Sequence, residues 1–160
     1  MSVPFSHILV YIDGSEGSLS AVMYAVLLAK QNNAQLDAMY VVDTRALSEL
    51  VKAGIFLNSE RDEYKNDLHN DAGRYLKHAE KLAKMKGVTI NTIKDEGSAH
   101  RVVRDYVKEH NIDLLLLGGV STIRSRRDEL NSETDRLVRT VNCPVLLIKD
   151  EEEIWDDFDE

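Results

Sequence analysis

The sequence predicts an α/β fold, in which five strands form an open, doubly wound parallel sheet with helices on both faces. Short apolar runs rich in β-branched residues alternate along the chain with longer segments of helical periodicity. Clusters of Gly, Asn, Asp and Ser separate these segments. No internal repeat or low-complexity linker interrupts the alternation. Helices that connect successive strands favour parallel pairing through right-handed crossovers.

Each element follows from the local pattern. A strand alternates or is wholly apolar over four to eight residues, whereas a helix repeats apolar residues at spacings of three and four. Strands are predicted at residues 6–12, 35–42, 88–94 and 112–117 and from residue 144 onward. Helices are predicted at about residues 16–31, 63–86 and 98–110 and from residue 132 onward.

Helix ends are marked by capping residues. Ser15 or Ser18 is expected to cap the first helix, and Ser98 to cap the third, because a hydroxyl oxygen accepts a bond from a free N–H of the first turn. Gly87 occupies the C-terminal capping position of the second helix. The segment 43–62 mixes a short helical turn with Gly and Asn, and we interpret it as a long connection that is either functional or dimer-forming, or else a mobile surface loop.

Length and composition indicate a single domain that needs no disulfide bond or bound metal ion to fold. A chain of 160 residues buries roughly 70% of its unfolded surface, which is enough for an independent core. The single cysteine, Cys143, excludes an internal disulfide and a zinc site built from cysteines. We find no apolar run of membrane-spanning length and no secretory signal pattern, so a cytoplasmic protein without a membrane partner is expected.

The negative charge of the chain is concentrated at its C-terminus. Residues 150–160 carry eight acidic side chains and no basic one, whereas residues 1–149 carry twenty of each sign. We therefore divide the chain into a domain at 1–149 and an acidic tail at 150–160 that is expected to be disordered. In the alternative interpretation, three apolar tail residues dock on a surface, for example over an arginine cluster; these are Ile154, Trp155 and Phe158, and the arginines are Arg124, Arg126 and Arg127. Residues 1–149 have no net charge, and so they lack the basic surface expected of a nucleic-acid-binding protein.

Three separated motifs resemble the universal stress protein family, and the resemblance covers residues 6–149. They are HILVYIDGSEGS at the first strand, MYVVD at the end of the second, and LLLLGG followed by NSETDRLVRTVNCPVLLIK near the C-terminus. The resemblance implies strand order 3-2-1-4-5 and a homodimer formed through the last strand. It also implies that the crevice beyond the first and fourth strands is the site where some family members bind ATP.

The phosphate-binding loop of those members departs from the family pattern here. The family's loop has the form G-x-x-G, nine residues, then G-[S/T], and the matching residues are Gly118, Ser121, Asn131 and Ser132. Glycines adopt positive φ and let backbone N–H groups approach phosphate oxygens. Ser121 and Asn131 stand where the family has glycines, and their side chains reduce the space for a phosphate. Ser132 precedes a helix whose first N–H groups, with the Ser132 hydroxyl, are expected to bind phosphate.

Other residues complete the expected site. By the resemblance, Asp13 contacts the nucleotide near its ribose and the backbone of Val41 meets the adenine. Asp13 is also an ordinary turn residue and Val41 an ordinary core residue. Glu133 and Thr134 belong to the phosphate-binding helix start, where the Glu133 carboxylate repels a phosphate. Arg124 in the loop is a candidate for direct phosphate binding, or for pairing with nearby carboxylates on a solvated surface.

Enzyme chemistry finds little support in the sequence. The five histidines are scattered without metal-ligand spacing, and Cys143 lacks an identifiable base, so we interpret it as a core residue. The P-loop and dinucleotide fingerprints are absent. The sequence therefore predicts a regulatory stress-response module that weakly binds ATP or a related adenine nucleotide, with magnesium if it is ATP, and at most hydrolyses it slowly. The alternative is a dimeric stress protein that binds no nucleotide and acts through protein contacts.

Overall fold

The computed structural model describes residues 5–118, 133–149 and 153–159. Its strands are β1 (His7–Ile12), β2 (Gln35–Asp43), β3 (Ile90–Gly97), β4 (Leu114–Leu117) and β5 (Val145–Leu147). Its helices are α1 (Glu16–Asn32), α2 (Thr44–Lys52), α3 (Asn58–Met85), α4 (Ala99–Glu109), α5 (Glu133–Thr140) and α6 (Glu153–Asp159). None of the helices in these ranges combines the length and apolar content needed to cross a membrane.

The five strands form one sheet of order β3-β2-β1-β4-β5, and each neighbouring pair is parallel. The predicted fold class and strand order are thereby confirmed. β1 lies at the centre, so the loops that leave β1 and β4 emerge side by side at the carboxyl edge of the sheet. The chain reverses its direction of winding between these two strands, which is where ligands bind in open α/β sheets.

Alternation along the strands divides the core between the two faces of the sheet. On β2, the side chains of Leu36, Ala38, Tyr40 and Val42 pack with α1 and α3. Met39 and Val41 point to the other face and join the buried side chains of α4 and α5. β2 therefore contributes to both halves of the core, because successive residues of a strand face opposite sides.

The predicted helix ends are found at capping residues, with one difference in how a cap is made. Ser98 is the N-cap of α4 as predicted, but its hydroxyl accepts no bond from the first turn and lies instead 3.1 Å from the His100 Nδ1. Ser15 is the N-cap of α1, and its hydroxyl oxygen accepts a bond from the Ser18 N–H at 3.1 Å. Asn33 ends α1 in the left-handed region with φ of 52°. Gly87, with φ of +70°, follows α3, and the Val88 N–H donates to the Ala83 carbonyl in the same turn. That turn delays β3, which begins two residues later than predicted.

The interpretation of residues 43–62 as a long connection is wrong. The segment contains α2 and the start of α3, separated by a turn in which the Gly54 N–H donates to the Val51 carbonyl at 3.0 Å. The pattern concealed this because α2 has only nine residues, and residues 58–67 of α3 are mostly exposed. Periodic apolar spacing is weak where a helix projects into solvent.

The structure also differs from the expectation of a disordered C-terminal tail. Residues 153–159 form α6, which packs against α1, and its Ile154 and Phe158 are only 2% exposed. The Lys86 ammonium lies 4.9 Å from the centre of the Phe158 ring. The physical reason is the spacing: Ile154 and Phe158 are four residues apart and share one helical face. Trp155 is 43% exposed, and the arginine cluster lies outside the described residues.

Candidate functional site

The loop after β1 is ordered by Asp13. One carboxylate oxygen of Asp13 accepts two hydrogen bonds, from the Ser15 N–H at 2.9 Å and from the Ser15 hydroxyl at 2.6 Å. Because that hydroxyl also caps α1, the Asp13 side chain holds the turn and the helix start together. Asp13 is exposed, and its second carboxylate oxygen takes no part in these two bonds. A ligand in the crevice can therefore meet a fixed, negatively charged acceptor.

Two stacked tyrosine rings support this loop from beneath. Gly14 has φ of +86°, and a Cβ at this position would lie 3.2 Å from the Tyr75 ring. The Tyr75 ring stacks on Tyr40, with ring centres 6.0 Å apart and planes 6° apart. Burial raises the pKa of Tyr40, and the nearby Asp71 carboxylate raises it further, so its hydroxyl stays neutral. Sequence reasoning missed the support that Tyr40 and Tyr75 give to the Asp13 loop, because the two rings come from elements that are far apart in the sequence.

Val41 is next to the Asp13 loop, and it is the backbone of Val41 that faces this edge of the sheet. The register between β1 and β2 ends at the pair Ile12 and Tyr40, so Val41 stands one residue beyond that ladder while it still pairs with Asp95 of β3. The Val41 side chain is buried on the α4 face of the sheet. Its backbone, and not its side chain, is therefore the part available to a ligand at the carboxyl edge.

Gly118, the residue after β4, lies in direct contact with the first turn of α1. A Cβ on Gly118 would fall 1.9 Å from the Gly17 carbonyl oxygen and 2.8 Å from the Ser18 nitrogen. Real Cβ atoms do not approach backbone so closely, so this position requires glycine for packing alone. The contact brings the end of β4 next to the helix that follows the Asp13 loop. Gly118 thus joins the two sides of the crevice.

The remaining predicted site residues divide between described and undescribed parts of the chain. Thr134 lies half-buried in the first turn of α5, and Glu133 is the first residue of that helix. Outside the described residues lie Ser121, Arg124, Asn131 and Ser132. The structure therefore gathers Asp13, Val41 and Gly118 at the carboxyl edge and places Thr134 on the helix that follows β4.

The ionisable groups near this edge give no metal site within the described ranges, where no three His, Cys, Asp or Glu side chains group as ligands. At the end of β3, the Glu96 carboxylate accepts bonds from His69 and from the Lys65 ammonium, and these bonds, that of His69 first, lower its pKa. His100 contacts the Ser98 hydroxyl at 3.1 Å. Burial raises the pKa of the Cys143 thiol, so it stays protonated at neutral pH.

Comparison with known proteins identifies relatives over nearly the whole chain. A model of the universal stress protein family matches residues 4–149. Universal stress protein MJ0531 of Methanocaldococcus jannaschii is 30% identical over 146 residues, which covers 91% of this chain and 82% of that one. Universal stress protein YxiE of Bacillus subtilis is 30% identical over 149 residues, covering 91% of this chain and 99% of that one.

Solved structures show the same fold. The universal stress protein UspA from Lactobacillus plantarum superimposes with a TM-score of 0.61 at 26% identity, over 92% of this chain and all of that one. A universal stress protein in complex with cAMP reaches a TM-score of 0.67 at 23% identity, over 90% of this chain and 96% of that one. A family protein from Arabidopsis thaliana with AMP bound reaches 0.64 at 14% identity, over 90% and 91% of the two chains. With a family match that leaves out only the first three residues and the C-terminal segment, the chain belongs to the universal stress protein family.

Proposed function

We propose that this protein binds an adenine nucleotide, such as AMP or ATP, in the crevice between the loops after β1 and β4, and that the nucleotide acts as a signal. One observation carries the proposal: Gly118 packs on the first turn of α1, beside the Asp13 loop, at the point where the strand order reverses. This position is the expected ligand site of an open α/β sheet. The neighbours solved with cAMP and with AMP support an adenine nucleotide as the ligand class.

Each part of a nucleotide has a partner of suitable chemistry in this proposal. The Asp13 carboxylate accepts hydrogen bonds from ribose hydroxyl groups, because its second oxygen, which does not bind Ser15 in the two bonds described above, is an anionic acceptor. The Val41 backbone provides peptide groups for the adenine edge, beyond the end of the β1 ladder. Ser132 and the first residues of α5, including Thr134, offer hydroxyl and N–H donors to a phosphate at a helix start.

The loop composition supports weak binding. Ser121 and Asn131 replace two glycines of the family's pattern, and Glu133 adds a negative charge beside the phosphate site. Arg124 offsets part of this loss through a charge-assisted bond to phosphate. We therefore expect AMP, with its single phosphate, to lose less affinity from the altered loop than ATP does.

Isothermal titration calorimetry with AMP and ATP, with and without magnesium, tests the proposal. Asp13→Asn keeps the size of the side chain and removes its charge, so affinity should fall about tenfold or more, since a hydrogen bond to a charged group contributes about 1.5–3 kcal/mol. Glu109→Gln, an exposed carboxylate at the far end of α4, is the matched control and should bind as the wild type does. Absence of heat and of thermal stabilisation at millimolar nucleotide would reject nucleotide binding.

A second candidate function rests on the free edge of the sheet. In the described chain β5 pairs with β4 alone, and its Leu146 is 37% exposed. An exposed apolar edge strand can pair with another chain, so a homodimer that acts through protein contacts also fits. Sedimentation should then show a dimer that Leu146→Lys weakens, whereas a monomeric wild type would exclude this assembly.

A further inference from the structure

The turn between α2 and α3 presents an apolar surface, here called the α2–α3 tip, formed by residues 55–57 and Tyr64. Leu57 and Ile55 are the two most exposed large apolar side chains in the part of the chain that the structure describes. The Phe56 ring contacts the Tyr64 ring edge to face, with ring centres 5.7 Å apart. The turn is ordered, because the Ile55 N–H donates to the Leu50 carbonyl at 3.0 Å. Clustered apolar side chains on a surface often mark an interaction site.

The α2–α3 tip stands at the carboxyl edge of the sheet. β2 ends at Asp43 and α2 begins at Thr44, so no loop separates the strand from the helix. α2 packs on α3 and β3, and α3 packs on β2 and β3. The sheet order places β2 and β3 on the side of β1 that is away from β4. The tip therefore lies towards the end of the crevice where the Val41 backbone is proposed to meet the base, and away from the proposed phosphate site.

One face of α3 leads from the core to the tip. Its residues follow at spacings of four, three and four, and they are Tyr64, Leu68, Asp71 and Tyr75. Leu68 and Tyr75 pack against the core, whereas Tyr64, one turn before Leu68, is 44% exposed. The face therefore continues beyond the packed part of the sheet, and Tyr64 is the aromatic residue that it presents there.

Aromatic contacts connect this face of α3 with the Asp13 loop. The Tyr75 ring stacks on Tyr40 and supports the Asp13 loop. Burial raises the pKa of Tyr40 most, and the Asp71 carboxylate raises it further. Smaller increases come from Tyr75, Asp13 and Tyr64, so the side chains of Asp13 and Tyr64 both lie near Tyr40. The tip and the Asp13 loop thus flank the same residue at the carboxyl edge.

The charged groups of this half of α3 are already paired. Each basic side chain between residues 58 and 75 has a carboxylate partner, and the pairs are Arg61–Asp62, Arg74–Asp71, Lys65–Glu96 and His69–Glu96. A phosphate would compete with these carboxylates, whereas an uncharged base would not. The exposed aromatic and aliphatic surface of the tip suits the flat face of a base.

We propose that Tyr64, supported by Phe56, stacks on the adenine of a nucleotide in the crevice and is a specificity-determining residue of the site. This inference rests on the proposed nucleotide function. The Val41 backbone reaches only the edge of the base, and Tyr64 covers its face. Because every base has such a face, Tyr64 selects ligands that carry a base, and the choice of adenine is left to the backbone contacts.

Calorimetry of the full chain with AMP tests the stacking. Tyr64→Ala should weaken AMP binding by about 5- to 100-fold, the usual effect of removing an aromatic ring that stacks on a base. Tyr64→Phe keeps the ring and should bind AMP within about twofold of the wild type. The matched control is Trp155→Ala, which removes a ring of similar exposure, 43%, on α6 and should leave AMP binding unchanged.

A direct readout separates stacking from an effect on folding. In the wild type with AMP bound, intermolecular nuclear Overhauser effects should connect the adenine ring protons with the Tyr64 ring, and these signals should be missing in Tyr64→Leu. The wild-type spectrum shows the contact whether or not the variants fold well.

The possible failures are distinguishable. If the wild type binds AMP but shows no contact between adenine and Tyr64, and Tyr64→Ala keeps the wild-type affinity, the inference is overturned while the nucleotide function stands. If the wild type binds no AMP, both are rejected. If Tyr64→Ala weakens self-association in sedimentation and leaves AMP binding unchanged, the tip is a protein interface and the stacking is again overturned.

Discussion

The C-terminal helix provides the sharpest test of how this chain is stabilised. Phe158 and Ile154 are buried in the same core as α1, and a disordered tail would leave both residues without an energetic role. Replacing a buried Phe by Ala usually costs about 3–5 kcal/mol. A terminal helix can detach locally instead of unfolding with the whole domain, and this limits the measured loss to the free energy of docking. We therefore expect Phe158→Ala to cost about 3 kcal/mol, the lower end of that range.

The assay uses the single tryptophan of the chain, which lies within α6 itself. Urea unfolding followed by Trp155 fluorescence reports on α6, while far-UV circular dichroism reports on the whole fold. In the wild type the two transitions should coincide, as they do when one cooperative unit unfolds. In Phe158→Ala the melting temperature should fall by about 6–12 °C, from the usual dependence for a domain of this size.

The matched control changes an exposed residue of the same helix and leaves the fluorescent Trp155 in place. Asp156→Asn leaves Trp155, Ile154 and Phe158 in place and should stay within about 0.5 kcal/mol of the wild type. The reasoning fails if Phe158→Ala is as stable as Asp156→Asn, or if wild-type Trp155 fluorescence is already that of a free chain before the main transition. Either result would mean that α6 does not belong to the core.

Two further predictions concern the candidate site. Gly118→Ala should destabilise the fold by about 3 kcal/mol or more, because the new methyl group meets backbone that cannot move aside. The control is Gly73→Ala, inside α3 with open space around it, which should be neutral or stabilise the fold by up to about 1 kcal/mol. Similar melting temperatures for the two variants would contradict the packing argument. The double change Ser121→Gly and Asn131→Gly should strengthen nucleotide binding measured by calorimetry, since it restores the glycines of the family's loop; an unchanged affinity would show that those side chains do not limit binding.

Local patterns predicted most of the fold because local physics decides those features. The alternation of Leu36, Ala38 and Tyr40 on one face of β2 follows from strand geometry, and Ser15 caps α1 through a bond three residues away. The prediction failed where a helix is short or exposed. α2 has only nine residues and the first turns of α3 are mostly exposed, so their helical structure depends on neighbours that are distant in sequence.

The candidate site was predictable only in part, for a similar reason. Asp13 follows a strand and precedes a glycine, and such a position is visible in the sequence as a turn at a strand end. The contact of Gly118 with Gly17 is not visible, because it joins residues about a hundred positions apart along the chain. Sequence reasoning explained Gly118 by phosphate binding, and the structure adds a packing reason that holds with or without a ligand.

By itself the sequence determined the class of the fold, the position of most strands and helices, and the family, since periodicity, capping residues and motif order are properties of neighbouring residues. The tertiary structure decided which charges are buried and which apolar residues find a partner. Asp37 looked like an ordinary strand residue until His7 and Tyr106 converged on it from 30 and 69 positions away. The acidic C-terminal segment looked unfolded until α1 provided a surface for Ile154 and Phe158. Burial depends on the whole fold, so these features became visible only when the chain was folded.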